Sequence, residues 1–150
     1  MEESISKTPP FLTLCKESLQ LQNVDARTFS PLALAYIGDA VYELIIRTKV
    51  INHGSIQVNK MHKKSSSLVK AETQALLIKA LAGDLTEEET AVFKRGRNAK
   101  SVTTAKHAAV IDYRMATGFE ALVGYLYLTE QFDRMITLVC MGLKKIGELE

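Results

Sequence analysis

Apolar residues recur along this chain at the three- and four-residue spacing of an α-helix, and no segment shows the alternation of a half-buried strand. No Asn-Gly or Asp-Gly hairpin pair occurs in the sequence. The pattern therefore predicts an all-α domain of five to seven helices. The expected helices cover about residues 11–22, 31–50, 55–82, 86–96, 105 or 112 to 129, and 131–146.

Three helix starts carry recognisable capping residues. Ser30 followed by Pro31 is typical of an N-cap and a first helical position. Ser55 is the expected cap of the next helix. The segment Thr86-Glu87-Glu88-Glu89 has the sequence of a capping box, in which the first and last side chains bond each other's backbone.

Two segments predict interruptions of the helical pattern. Three consecutive serines, Ser65–Ser67, compete with helical hydrogen bonds and predict a break within residues 55–82. Gly96 and Asn98 predict that the following helix ends in a basic loop spanning residues 94–101.

Two carboxylates stand alone within apolar helical segments. Asp39 lies within residues 32–42 and Glu120 within residues 115–128. A buried ionised carboxylate is costly unless a cation, a proton or hydrogen bonds compensate it. Gly38 precedes Asp39 in mid-helix, where glycine costs about 1 kcal/mol relative to alanine, and this usually signals close approach of another backbone or a ligand. Two such carboxylates could share one divalent metal, and oxygen ligands favour Mg²⁺ or Mn²⁺.

Each carboxylate also has a purely structural interpretation. Asp39, Glu43 and Arg47 are spaced four apart and share one helix face, so they could form a solvent stripe with a Glu43–Arg47 ion pair. Glu120 has no basic residue three or four positions away, so it could be a buried glutamate that is protonated or hydrogen-bonded. The sequence alone leaves both alternatives open.

The charge is unevenly distributed along the chain. The formal net charge is only +2, but residues 49–106 carry eleven Lys or Arg against five Asp or Glu, a local balance of +6. This asymmetry indicates an anionic partner or, alternatively, a solvated helical face. The residues suited to phosphate contacts are Lys60, His62, Lys63 and Lys64 in one segment and Lys94, Arg95, Arg97, Asn98 and Lys100 in another, with Lys70, Lys106 and His107 nearby. The three histidines, His53, His62 and His107, lack metal-ligand spacing.

Length and composition restrict the remaining possibilities. A chain of 150 residues suits one domain, with residues 1–27 as an N-terminal extension and residues 28–150 as the domain itself. No apolar run is long enough to span a membrane, and the acidic N-terminus does not resemble a secretory signal. Cys15 and Cys140 are interpreted as incidental thiols in a reducing cytoplasm, or in an organelle matrix if a transit peptide was removed.

Three motifs resemble those of a known family. Residues 36–42, Tyr-Ile-Gly-Asp-Ala-Val-Tyr, resemble the first signature of ribonuclease III endonuclease domains, and residues 119–128 resemble the second. Residues 94–100 are similar to the basic loop between those signatures, and the whole match spans about residues 28–147. We expect no double-stranded RNA-binding domain after the last helix, and this resembles the stand-alone catalytic subfamily, Mini-ribonuclease III.

The resemblance implies that Asp39 and Glu120 bind Mg²⁺, with Mn²⁺ able to substitute. It also implies a homodimeric endoribonuclease that cleaves double-stranded RNA to leave 5′-phosphate and 3′-hydroxyl ends. Precursor 23S ribosomal RNA is the expected substrate, and a ribosomal protein is a candidate partner. Larger ribonucleases III carry further acids where this chain has Leu32, Ala35 and Thr117, so water and RNA phosphate are the expected remaining ligands.

Two other functions fit parts of the sequence. A ribonuclease III fold can persist as a non-cleaving RNA-binding or ribosome-associated module, although the retained Asp39 and Glu120 argue against it. A helical scaffold that dimerises without touching RNA is disfavoured by the basic middle segment. Residues 32–37 are apolar on every side, so we expect them, with the region of Tyr125 and Tyr127, to line a partner subunit.

Overall fold

A computed structural model of the chain describes residues 9–52, 57–100 and 107–150, apart from the side chains of residues 107–109. Seven α-helices and no strand occur in this part of the chain, which confirms the all-α prediction. The helices are α1 (Phe11–Ser18), α2 (Pro31–Ile51), α3 (Val58–Val69), α4 (Ala71–Leu81), α5 (Glu87–Asn98), α6 (His107–Leu128) and α7 (Phe132–Lys145). Single turns of 3-10 helix, Ala26–Thr28 and Ala82–Asp84, precede α2 and follow α4.

Helix α6 is the centre of the fold. It packs against α2, α4, α5 and α7. Its second half is buried at nearly every consecutive position: Phe119, Ala121, Leu122, Val123, Tyr125 and Leu126. A helix that is apolar all round belongs in an interior, and this explains the long apolar run that surrounds Glu120.

The backbones of α2 and α6 touch where each helix carries a glycine. A Cβ atom added to Gly38 would lie 1.7 Å from the carbonyl oxygen of Glu120. A Cβ atom added to Gly124 would lie 2.0 Å from the carbonyl oxygen of Leu34. The expectation that Gly38 marks the close approach of another backbone is thus confirmed.

Two of the three predicted caps are present. Ser30 Oγ accepts a hydrogen bond from the backbone N–H of Ala33 at 3.1 Å. The capping box of α5 is complete, with Thr86 N–H bonded to Glu89 at 2.9 Å and Glu89 N–H bonded to Thr86 at 3.1 Å. Ser55 lies outside the described residues, and α3 begins at Val58 without a side-chain cap.

The break between α3 and α4 falls at Lys70, so the prediction of a break at the serines was wrong. Lys70 adopts an extended backbone with ψ 159°. The last four carbonyl groups of a helix need partners from outside it, and here each has one. The donors are the Lys70 amide to Ser66 at 3.1 Å, Thr73 Oγ1 to Ser67 at 2.6 Å, Tyr42 OH to Leu68 at 2.8 Å and Gln74 Nε2 to Val69 at 2.7 Å. Tertiary partners therefore set the position of this break.

The prediction of a basic loop from residue 94 was also wrong, because α5 continues to Asn98. Gly96 does not end the helix but packs against α6. A Cβ atom on Gly96 would lie 2.7 Å from Ala121 Cβ and 2.9 Å from Gly118 Cα. Only Ala99 and Lys100 follow the helix within the described residues, and residue 101 lies outside them.

Helix α1 ends at Ser18 rather than near residue 22, since Gln20 adopts a left-handed backbone with φ 55°. The Tyr125 side chain, expected at a subunit interface, is only 3% exposed within one chain and donates a hydrogen bond to Glu88. Tyr125 therefore belongs to the interior of the domain. Among the described helices, none combines the length and apolar character needed to cross a membrane.

Candidate active site

The contact between α2 and α6 brings the two isolated carboxylates together. Asp39 directly follows Gly38, which touches the backbone of Glu120. Asp39 is exposed at the surface and Glu120 is half-buried. The pKa of Glu120 is raised from its ordinary 4.5 to about 8, first by burial and then by the adjacent Asp39 carboxylate, while a hydrogen bond from Gln74 acts in the opposite direction. The pair therefore lacks positive charge, which a proton or a cation could supply.

The solvent-stripe interpretation describes only two of its three residues. Arg47 Nε donates a hydrogen bond to Glu43 at 2.9 Å, so the predicted Glu43–Arg47 ion pair is present. Asp39, one helical turn earlier, lies beside Glu120 on the neighbouring helix. The face of α2 thus divides between a surface ion pair and the carboxylate pair.

Gln74 on α4 is a further member of this site, and sequence reasoning missed it. Its side chain is 2% exposed, and its Nε2 atom donates to Glu120 Oε2 at 3.1 Å. The signal in the sequence was a glutamine among the apolar residues Ala75, Leu77 and Ile78. All three are buried in the structure. A buried amide needs polar partners, but the sequence does not identify them.

Comparison with known proteins places this carboxylate pair inside a known domain. The family model of the ribonuclease III domain matches residues 32–131, which is two thirds of the chain. The matched range contains Asp39, Gln74 and Glu120. This chain belongs to the ribonuclease III family. Membership assigns it to the endoribonucleases, as the sequence motifs predicted.

Individual relatives agree with this assignment to ribonuclease III. The chain is 54% identical over 112 residues to Mini-ribonuclease 3 of Clostridium tetani, covering 74% of each chain. It is 50% identical over 126 residues to Mini-ribonuclease 3 of Enterococcus faecalis, covering 83% of this chain and 96% of that one. The crystal structure of a Fusobacterium nucleatum protein matches with a TM-score of 0.72 and 31% identity, covering 85% of this chain and all of the other. The predicted resemblance to the Mini group is confirmed.

Ribonuclease III enzymes generally depend on a divalent metal, and the residues of this site fit one. Among the described residues, no cluster of three or more His, Cys, Asp or Glu side chains is placed to hold an ion. Thr117, where larger relatives carry an acid, donates its hydroxyl to the Tyr113 carbonyl at 3.0 Å. Two carboxylates remain, and Mg²⁺ is commonly bound by one or two carboxylates while keeping several waters. The raised pKa of Glu120 reflects its burial and the neighbouring Asp39 carboxylate, and a bound cation would offset both effects.

The basic last turn of α5, residues 94–98, packs on the turn of α6 that carries Glu120. Gly96 packs on Gly118 and Ala121, which flank Glu120 along α6. The neighbours Lys94, Arg95 and Asn98 are exposed. Arg97 stacks with its guanidinium carbon 5.6 Å from the centre of the Phe93 ring, and its Nε donates to Asn98 Oδ1 at 3.1 Å. The structure therefore places residues 94–98 beside the helical turn that carries Glu120.

The basic residues of α3 lie toward its start, away from the Val69 end that Gln74 contacts. Lys60, His62 and Lys63 are exposed, whereas Lys64 Nζ lies 3.1 Å from Glu148 Oε1 in an ion pair. Lys63 lies six residues before Val69, whose carbonyl accepts the hydrogen bond from Gln74. About 9 Å of helical rise therefore separates Lys63 from that end of α3. Lys100 is exposed beyond the end of α5, while His53, Lys106 and the His107 side chain lie outside the described part.

Proposed function

We propose that this chain is a Mg²⁺-dependent endoribonuclease that cleaves double-stranded RNA at the Asp39–Glu120 pair. The observation that carries the proposal is the backbone contact at Gly38, which sets the two carboxylates beside each other within a ribonuclease III domain. A helix contact this close needs a glycine, so the position of Asp39 relative to Glu120 is determined by packing.

Each carboxylate has a distinct environment in this proposal. Asp39 is exposed, so a cation and an RNA phosphate would both have access to its carboxylate. Glu120 is half-buried and held by the Gln74 amide, so its orientation is restricted before any ligand arrives. When bound, Mg²⁺ (or Mn²⁺ in its place) lowers the pKa of water and stabilises negative charge on the phosphate. The expected products carry 5′-phosphate and 3′-hydroxyl ends.

Contacts to the RNA backbone come from the basic turn of α5 in this proposal. The deep, narrow major groove of A-form RNA hinders base reading, so recognition relies on shape, phosphates and 2′-hydroxyl groups. Arg95 is exposed, and stacking on Phe93 orders the Arg97 side chain in advance. The other RNA contacts that we propose are Lys60, His62, Lys63 and Lys64 on α3, with Lys94, Asn98 and Lys100 around the end of α5.

The substrate that we propose within this class is precursor 23S ribosomal RNA, with a ribosomal protein as a candidate partner. The choice of substrate rests on the family resemblance. We also propose a cytoplasmic location, where Cys15 and Cys140 would stay reduced. Both cysteines are free thiols in the structure. The test compares cleavage of the precursor stem with cleavage of an unrelated duplex of equal length, and equal rates would contradict the choice of substrate.

We also propose a homodimer, because α2 carries an apolar face that the described part of the chain leaves exposed. Leu32, Tyr36 and Leu44 are separated by multiples of four residues, and Tyr36 is 83% exposed and Leu44 65%. Two strands of a duplex are related by a two-fold axis, which matches two sites on a two-fold dimer. Light scattering should report about twice the 16.6 kDa chain mass, and Tyr36→Arg should shift it toward the monomer. Wild-type protein that stays monomeric at micromolar concentration would contradict the dimer.

The cleavage test uses Asp39→Asn and Glu120→Gln, which retain shape but remove a negative charge. Single-turnover cleavage of duplex RNA should require Mg²⁺, stop with EDTA and be abolished in both variants, while a gel-shift assay shows binding retained. Near wild-type cleavage by either variant would remove that residue from the site. Binding by the wild type without any cleavage would favour the alternative, an inactive RNA-binding module.

A further inference from the structure

The Gln74 amide has a fixed orientation. Its Nε2 atom donates to the Val69 carbonyl at 2.7 Å and to Glu120 Oε2 at 3.1 Å. Both partners are acceptors, so the reversed amide would place its oxygen against a carbonyl oxygen and a carboxylate oxygen. The two hydrogen bonds therefore determine which end of the amide faces Glu120.

The other end of this amide is buried and unpaired. Among the described residues, Gln74 Oε1 is the buried side-chain polar atom that lacks a hydrogen-bond partner. A buried acceptor without a donor is unfavourable, and such atoms are uncommon in folded proteins. Oε1 shares its amide carbon with the nitrogen that bonds Glu120, so a donor to Oε1 would lie near the Glu120 carboxylate. With a divalent cation bound, the Glu120 carboxylate is ionised and cannot donate, but the water shell of the cation can.

Gln74 could instead serve only to cap α3. Its neighbour Thr73 provides a direct comparison, because it caps the same helix end through Oγ1 to the Ser67 carbonyl at 2.6 Å. Thr73 is also buried. No hydrogen bond joins Thr73 to Glu120 in the described structure, whereas Gln74 bonds both the helix end and the site. The two residues therefore separate capping from any role at the carboxylates.

We infer that Gln74 is a positioning residue of the metal site: its Nε2 holds Glu120 in place, and its Oε1 accepts a hydrogen bond from the hydrated divalent cation. The inference rests on the proposed metal-dependent function. It assigns to this amide the role of orienting a carboxylate ligand, and partners that orient ligands affect metal affinity without touching the ion.

The test compares Gln74→Met with Thr73→Val. Methionine keeps the side-chain length but removes both donors and the acceptor, and valine removes only the threonine hydroxyl. Binding of Mn²⁺ to RNA-free protein is measured by titration calorimetry, and thermal unfolding in EDTA is measured beside it. We expect both variants to unfold at lower temperature. Only Gln74→Met should also weaken Mn²⁺ binding, by about ten- to a hundred-fold, and raise the Mg²⁺ concentration needed for half-maximal cleavage.

Gln74→Asn is a second variant that keeps the test decisive if Gln74→Met does not fold. It retains an amide but moves it away from Glu120 by one methylene. Weaker Mn²⁺ binding by Gln74→Asn, with Thr73→Val unchanged, supports the inference. Equal Mn²⁺ affinity in the wild type and in both glutamine variants would overturn it and leave Gln74 as a cap. A wild type that binds no Mn²⁺ and cleaves without a divalent ion would instead overturn the proposed metal-dependent function itself.

Discussion

Replacing Gly38 with alanine tests whether helix contact determines the geometry of the site. The added Cβ would lie 1.7 Å from the Glu120 carbonyl oxygen, 2.7 Å from its carbonyl carbon and 2.8 Å from the Gly124 nitrogen. All three are backbone atoms, so no side-chain rotation can relieve the overlap. The distance to the oxygen has to increase from 1.7 Å to at least 3.0 Å, which requires α2 and α6 to separate.

Two opposing effects determine the change in the free energy of unfolding. Alanine favours the helical backbone over glycine by about 1 kcal/mol. Overpacking of a well-packed core costs about 1–3 kcal/mol and sometimes more, and a clash with rigid backbone belongs at the upper end. We expect a net destabilisation of about 1–3 kcal/mol, which lowers the melting temperature by about 3–10 °C for a domain of this size.

The same displacement should reduce cleavage beyond the loss of folded protein, because Asp39 moves away from Glu120. Circular dichroism gives the melting temperature, and single-turnover cleavage at a temperature where both proteins are folded gives the activity. Gly83→Ala is the matched control, since its Cβ would meet no atom within 4 Å, and it should melt at or slightly above the wild type. A Gly38→Ala protein with wild-type stability and cleavage would refute the backbone contact as the origin of the site.

Three further predictions concern charge. Because the folded-state pKa of Glu120 is about 8 against an ordinary 4.5, stability without metal should fall as pH rises from about 4.5 to 8. Glu120→Gln should remove that slope in urea unfolding with EDTA, and a slope unchanged by the substitution would contradict the shift. Changing Arg95 and Arg97 together to Ala should weaken binding to unrelated duplexes alike and lower the salt slope by about 2; an unchanged slope would place this turn away from RNA. Arg134→Met should lower the free energy of unfolding, measured by chemical denaturation, by about 3 kcal/mol, because it leaves the buried Glu89 carboxylate without the Arg134 Nε that lies 2.8 Å from it. A loss below about 1 kcal/mol would show that other groups compensate the Glu89 charge.

Local chemistry explains which features could be predicted from the sequence. The helical class follows from apolar spacing, and the caps at Ser30 and Thr86 follow from side chains that bond backbone within three residues. Asp39 and Glu120 stood out because an acid in an apolar helix demands compensation. Gly38 indicated a close approach because a mid-helix glycine has a cost that only tertiary contact explains.

Long-range partners explain what the sequence left undetermined. Lys70 ends α3 because Thr73, Gln74 and Tyr42 supply donors to its last carbonyls, and Tyr42 lies 26 residues from the Leu68 carbonyl that it bonds. Gly96 was predicted to end a helix, but it lies within α5. A glycine is needed at this position because α6 passes too close for a side chain.

By itself, therefore, the sequence determined the helical class, the caps at Ser30 and Thr86 and the two acids in need of a partner, since each depends on residues only a few positions apart. Only the tertiary structure decided that Asp39 meets Glu120 through Gly38, and that Gln74 reaches Glu120 across 46 residues. Hydrogen bonds and backbone contacts between distant segments depend on how helices pack, and residue type and spacing along one helix do not encode the partner on another.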